Sequence, residues 1–396
     1  MRIAINDYAG FSFPLELSRE LSRRGHQVLH LYSGASGGPK VSAQLDGEKR
    51  LCIVNLDAGR VDKDNFCKRW RQERHYGVVA TAKLNQWRPD LVISANTPLE
   101  AQKKILCWAS KHFIPSIFWL QDLLSIAVKS ILSNVNRVLG RLVYGYMNRI
   151  EIDLLTQADH IISITDDFYP YLNAWNIDPA KVSLIPNWGP IEQIPVLPRK
   201  NRFSAHHGLD EKFVVLYSGT LGKKQDIHLI ADTADGLADD GDILFVVATD
   251  ERGHRLLNRQ VDGKDFANLL QLPLQPAQMY PYLLASSDVT IVTLDRSAGN
   301  YCVPSKLWSA YCAQKASVVA VGKHNLCARI TDQIGAGSVI SPGSVDQCAA
   351  AIRRLKRNPS LCVAMGANAR RYAERCFPIS SIADRFEAVI DHIAMH

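Results

Sequence analysis

The chemistry-bearing stretch is Gly299-Asn300-Tyr301-Cys302-Val303-Pro304-Ser305-Lys306. The apolar, β-branched run 289–294 ahead of it reads as a buried parallel strand. Leu307, Trp308, Tyr311 and Cys312 fall at helical spacing, so a helix begins near Ser305, and Val318 to Val321 is the next strand. Strand, glycine-bearing loop and helix start is how an α/β sheet presents backbone N–H groups to an anion. A lysine in the first helical turn gains nothing from the helix dipole. A ligand phosphate would supply the compensating charge; the alternative is a surface lysine at a helix start.

Two further places carry similar promise. Gly219-Thr220-Leu221-Gly222-Lys223-Lys224-Gln225 follows a strand that starts at Phe213 and precedes a helix containing Ile227, Leu229 and Ile230. Two glycines and two lysines there make a phosphate cradle, although the Walker A spacing is missing. Asp122 stands at the carboxyl end of the strand 116–120, the edge where α/β sheets place ligands. The competing role for Asp122 is an N-cap of the helix that follows.

The elements that must position these residues alternate along the whole chain. Residues 2–6 form a strand, Asp7 to Ser12 a loop, and a helix from about Pro14 stops at Gly25. Strands follow at 27–31, 91–94, 116–120, 158–164 and 181–185. Asp7 to Ser12 lacks the Gly-x-Gly-x-x-Gly fingerprint, so this opening speaks for a Rossmann-type fold only. Residues 34–88 read as polar and irregular up to a helix around 76–87. Three prolines in 189–203 mark an interdomain linker. A second α/β unit then runs from Phe213 through strands at 243–247, 269–272, 289–294, 318–321 and 339–342 to a mostly helical tail.

A chain of 396 residues is too long for one ordinary core. An apolar share of 47% and a charged share of 21% are those of a folded soluble protein. The net charge of +7 suits an anionic substrate or membrane face without demanding nucleic acid, for which no signature exists. Nine cysteines lack any Cys-x-x-Cys pair, so reduced thiols are expected rather than disulfides or a metal site. The start carries no run long enough for a secretory leader and no stretch approaches a spanning helix, which implies a cytoplasmic protein.

Residues 123–150 stand apart. They hold a broad apolar face interrupted by Lys129, Arg137, Arg141 and Arg149, with no acidic residue. Read as one basic amphipathic helix, the stretch suits an anionic membrane surface, such as the inner face of the plasma membrane. The alternative is a core-packing helix with a solvated basic stripe.

Taken together, the motifs resemble those of retaining glycosyltransferase family 4, in its colanic-acid and O-antigen branch that includes fucosamine transferases. The resemblance rests on Ile185-Pro186-Asn187-Trp188, Leu216-Tyr217-Ser218-Gly219 with Lys223-Lys224-Gln225, Leu272-Pro273, Ser287-Asp288-Val289, Val303-Pro304-Ser305-Lys306 and Met365-Gly366-Ala367-Asn368-Ala369-Arg370. It implies an α/β protein of GT-B fold, two Rossmann-like doubly wound domains facing across a cleft. The domains would be 1–190 for the acceptor, a linker at 191–203, and 204–375 for the nucleotide-sugar. A final helix in 376–396 would pack back on the first domain.

The resemblance also assigns roles. Gly219, Thr220, Lys223 or Lys224, Ser305 and Lys306 would hold the diphosphate of a nucleotide-sugar, a UDP-sugar being expected. Leu272 and Pro273 would lie against the base. Tyr301 and Ser309 fall where many members carry the two glutamates of a Glu-x7-Glu pair, and both glutamates are missing here. Asn300 lies beside them. Gln225 replaces a common lysine and Asp226 the glycine after it. Gly10 and Phe11 match the loop that approaches the donor sugar, without its usual paired glycines.

Asp122 would handle the proton of the acceptor hydroxyl. Lys224, Lys306 and the loop amides would stabilise the departing diphosphate. The implied reaction is sugar transfer, with retention, to a lipid-linked saccharide in cell-surface polysaccharide biosynthesis. No carboxylate pair suggests a double-displacement glycosidase. No aspartate motif accompanies the phosphate loops, so no metal and no cofactor are expected. Two alternatives share the architecture: a nucleotide-sugar 2-epimerase, and a non-catalytic partner subunit motivated by the missing glutamates.

Overall fold

The computed structural model describes residues 1–34, 49–56, 66–133, 137–222, 224–261 and 266–394. They form two compact units. One comprises Met1–Asn187 with Ile379–His396, the other Trp188–Pro378.

The first unit is a seven-stranded parallel sheet: β1 (Arg2–Asp7), β2 (Gln27–Tyr32), β3 (Leu51–Asn55), β4 (Leu91–Ala95), β5 (Ser116–Leu120), β6 (His160–Ser163) and β7 (Val182–Leu184). Their spatial order is β3-β2-β1-β4-β5-β6-β7. β1, β4 and β5 are nearly continuous apolar runs because helices cover both faces. The covering helices are α1 (Ser12–Arg23), α2 (Phe66–Trp87), α3 (Leu99–Lys111), α4 (Leu124–Ser133), α5 (Arg137–Gln157) and the short α6 (Tyr169–Ala174). α1 stops where expected: Gly25 takes φ 104, and His26 N–H closes back on the Leu21 carbonyl at 3.1 Å.

In the second unit α7 (Arg202–His206) precedes a six-stranded parallel sheet. Its strands are β8 (Phe213–Ser218), β9 (Ile243–Thr249), β10 (Leu269–Pro273), β11 (Val289–Thr293), β12 (Ala316–Ala320) and β13 (Gly337–Ile340). They lie in the order β10-β9-β8-β11-β12-β13. Interleaved with them are α8 (Ile227–Asp235), α9 (Glu251–Gln260), α10 (Tyr280–Ala285), α11 (Lys306–Cys312) and α12 (Leu326–Ile334). α13 (Val345–Arg357) and α14 (Pro359–Cys376) complete the unit. α15 (Ile379–Ala394) then returns to the first sheet, where Phe386 meets Trp119 edge-on at 4.8 Å between ring centres. Arg24 fixes it further, donating to Asp384 at 2.7 Å and Glu387 at 2.5 Å.

Three expectations need correction. Residues 34–88 are not irregular up to 76: Leu51–Asn55 is a strand and α2 starts at Phe66. β3 is an edge strand, half exposed along its length, so it lacks the doubly buried signature of β1, β4 and β5. The stretch 123–150 is not one helix but α4 and α5, which pack on each other and divide its apolar positions between them. The linker 189–203 ends inside α7, whose Asn201 cap accepts the Phe203 amide at 2.8 Å.

Each sheet has one topological switch point, where successive strands depart in opposite directions. It lies between β1 and β4 in the first unit and between β8 and β11 in the second. Loops at the carboxyl ends of those strand pairs are where open α/β sheets bind ligands.

Candidate active site

In the second unit the switch-point loops are those after β8 and β11, and they are tied together. Asp295 N–H donates to the Lys224 carbonyl at 2.8 Å. Gly219 takes φ 131, a conformation that disfavours any side chain. The Lys306 side chain fills the vacated space: a Cβ on Gly219 would stand 2.3 Å from Lys306 Cε. Lys306 occupies the first turn of α11, with exposed Ser305 as the residue before it.

Two lysines converge there, each above an aromatic face. Lys306 Nζ lies 5.3 Å from the centre of the Tyr217 ring, and Lys224 Nζ lies 5.6 Å from that of Tyr301. Burial pushes the Lys306 ammonium down to about 8; Cys302 opposes this and the charge of Lys224 adds to it. Two cations held close in a partly desolvated place form a site prepared for an anion.

The remaining residues of the cradle mostly hold its shape. Gln225 turns inward, its Oε1 accepting the Gly222 amide at 2.9 Å. The Thr220 carbonyl accepts the Tyr217 hydroxyl at 2.9 Å. Asp226 caps α8 through the Leu229 amide at 2.9 Å. Tyr301 is 1% exposed and presents its ring rather than a free side chain, while Asn300 is exposed. Asn325 secures this loop from below, donating to the carbonyls of Gly299 and Cys302, both at 3.0 Å.

Ser309 is partly exposed and bonds the hydroxyl of Tyr280, which also bonds Ser218. Tyr280, Ser218 and Lys306 line a small hollow against the sheet. Leu272 is buried and Pro273 exposed at the end of β10, and the Leu272 carbonyl accepts His254 Nε2 at 3.0 Å. β10 is two strands removed from β8, so this pair lies apart from the lysines along the same sheet edge. Lys223 lies outside the described residues.

Gly10, Phe11 and Asp122 belong to the first unit. Gly10 has φ 68, and a Cβ there would meet the Tyr32 ring at 3.3 Å. Asp7, the last residue of β1, is fully buried and accepts the Phe11 amide at 2.6 Å and Asn96 Nδ2 at 2.9 Å. Asp122 follows β5 and stands before α4. The free amides of α4 at Leu124 and Ser125 are taken by Glu151 of α5, at 2.8 and 2.9 Å. Burial raises the Glu151 carboxyl to about 7; bonds from Ser125 and Leu124 oppose this, and Asp122 adds to it.

Residues 13–192 match the family model "Glycosyltransferase Family 4". The chain carries a glycosyltransferase family 4 domain. It is 23% identical over 322 residues to WcaI of Escherichia coli strain K12, named as a colanic acid biosynthesis glycosyl transferase, covering 79% of this chain and 78% of that one. Among solved structures it is similar to sucrose-phosphate synthase from Thermosynechococcus elongatus, at TM-score 0.77 and 14% identity over 100% of this chain and 99% of that one. It is equally similar in identity, 14%, to Anabaena HepE in complex with UDP-glucose, at TM-score 0.72 and full coverage of both chains. These structural likenesses carry the GT-B fold; the family match and the curated relative carry transferase activity.

Four residues of this glycosyltransferase were missed in the sequence: Asp7, Glu151, Tyr280 and Asn325. Only Asp7 left a signal, standing at the end of the first strand just before a glycine-bearing loop. The other three act through partners on other elements, 23 to 27 residues away for Asn325 and Glu151 and farther still for Tyr280, which meets Ser309 and Ser218.

Proposed function

We propose that this glycosyltransferase moves a sugar from a UDP-sugar to a lipid-linked saccharide in cell-surface polysaccharide biosynthesis, with retention at the anomeric carbon. The observation that carries the donor half is Lys306 lying across Gly219 beside Lys224, at the switch point of the second sheet. A diphosphate there meets two cations and the amides of a glycine loop. As the glycosidic bond breaks, charge develops on that diphosphate, and each well-placed donor is worth about 3–4 kcal/mol. HepE in complex with UDP-glucose supports the choice of uridine, and WcaI supports polysaccharide assembly. Asp122 is the residue proposed to take the acceptor proton, and neither metal nor cofactor is required.

Membrane association belongs to the same proposal. Val138, Leu142 and Tyr146, spaced four residues apart on α5, are 71, 68 and 51% exposed. Arg141 and Arg149 are exposed on the same helix, so an apolar ridge is flanked by cations. The Arg137 side chain lies outside the described residues. Among the described residues no helix is long and apolar enough to cross a membrane.

The deciding experiment is thermal stability against UDP, GDP, UDP-glucose and related nucleotide-sugars, on wild type and Lys306→Ala. A ligand at 100 times its dissociation constant adds about 2.7 kcal/mol. Stabilisation by uridine compounds that disappears in the variant supports the donor site; no response to any nucleotide sinks it. Turnover undiminished in chelator supports metal independence, and the anomer of the product, read by NMR, tests retention. Cosedimentation with phosphatidylglycerol vesicles that survives Leu142→Asp with Arg141→Glu would end the membrane reading.

A further inference from the structure

We propose that Asp7 is a positioning residue, a proton-sensitive brace whose carboxylate holds the Gly10–Phe11 loop and the loop after β4 in one arrangement. The inference rests on the reading of the Gly10–Phe11 loop as the part of the chain that meets the donor sugar.

β1 and β4 are the strands that flank the switch point of the first sheet, and Asp7 is the register partner of Ala95 at their carboxyl ends. Its two oxygens are spent on two different loops. Oδ2 accepts the Phe11 amide at 2.6 Å; Oδ1 accepts the Asn96 side-chain amide at 2.9 Å. Asn96 sits at φ 49, a left-handed conformation that costs a non-glycine residue free energy and persists where surroundings enforce it. Its bond to Asp7 is the visible enforcement. Gly10, between them, is also left-handed, at φ 68.

Charge makes the brace conditional. Asp7 is 0% exposed, and burial raises its carboxyl to about 7, against the bonds from Asn96, Phe11, Ala9 and Gly10 that hold it down. The titratable group facing it from α2 is Tyr76, a buried phenol kept neutral and donating to Asn6 Oδ1 at 2.8 Å. A proton that arrives on Asp7 therefore finds both oxygens accepting N–H groups and weakens or displaces one of those bonds. The loop is held above neutral pH and slackens below it.

Hydrogen exchange of the full chain between pH 6 and 8, corrected for intrinsic rates, tests the brace directly. Protection of the Phe11 amide should fall about tenfold on acidification, following one titration near pH 7. Asn96→Gly keeps the left-handed backbone without strain and removes a donor that favours the charged form, so the transition should move to higher pH. Asp7→Asn should abolish it. A transition that survives in folded Asp7→Asn, or that vanishes instead in Glu151→Gln, overturns the proposal, as does protection independent of pH. Calorimetry with UDP and with UDP-glucose then tests the link to the donor sugar. Asp7→Asn should weaken UDP-glucose about tenfold more than UDP. Equal affinities in wild type and variant refute the link. Binding of neither compound to wild type refutes the donor reading instead, and leaves the exchange result to decide the brace.

Discussion

The carboxylate of Glu151, on α5, accepts the backbone amides of both Leu124 and Ser125, the first two residues of α4. One helix thus caps another across the hairpin, directly after Asp122. Removing the acceptor strands buried donors, so Glu151→Ala should cost about 2–4 kcal/mol in urea unfolding. The pH dependence has a defined sign. The folded carboxyl is raised from 4.5 to about 7, so its stabilising contribution is complete below 4.5 and is lost as pH rises through 7. Wild type should therefore lose up to about 3 kcal/mol against Glu151→Gln between pH 4.5 and 7.5.

Lys306 should behave in the opposite direction. Its folded value, about 8, lies below the ordinary 10.5, so the buried ammonium costs stability below 8 and the cost fades as pH climbs to 10.5. Lys306→Met should stabilise the ligand-free protein at pH 7 by no more than about 3 kcal/mol, seen as a higher melting temperature, while abolishing its response to UDP. A variant that loses both stability and UDP binding would show that Lys306 is held by its surroundings rather than strained by them.

Gly219→Ala meets two penalties at once, φ 131 and the contact with Lys306 Cε. The backbone term alone is about 1–3 kcal/mol. Because the flexible lysine can retreat, the larger effect should fall on UDP affinity, weakened at least about tenfold. Calorimetry beside a melting curve separates the two losses.

Asn325→Ala removes the support beneath the loop 299–302 and the cap of α12, where Asn325 accepts the Cys327 amide at 3.1 Å. A loss of about 2–3 kcal/mol is expected from the cap and the two stranded carbonyls. Lys306 stays in α11, so UDP should bind the folded variant with reduced affinity rather than not at all.

Much of this fold could be read from residues because buried parallel strands announce themselves. Val289–Thr293 and Phe213–Ser218 are runs of β-branched and aromatic residues between polar loops. Leu51–Asn55 is as apolar, but as an edge strand it sits among charged neighbours that mask it. α2 reads too short in sequence because its first half, rich in Arg and Lys, shows no apolar period. The stretch 123–150 showed its apolar positions but not the break between α4 and α5. In the site, Lys306 and Gly219 were legible because lysines at helix starts and glycines after strands are locally odd. Asp7 and Glu151 look ordinary in sequence, since what distinguishes them is burial and a bond made elsewhere.

The return of α15 to the first unit has a consequence for synthesis. The second unit is continuous, Trp188–Pro378, whereas the first needs residues from Ile379 onward to cover Trp119 and to engage Arg24. On the ribosome the domain translated second is the first to have all its parts. The domain translated first must wait, with the face meant for Phe386 still open, until α15 emerges.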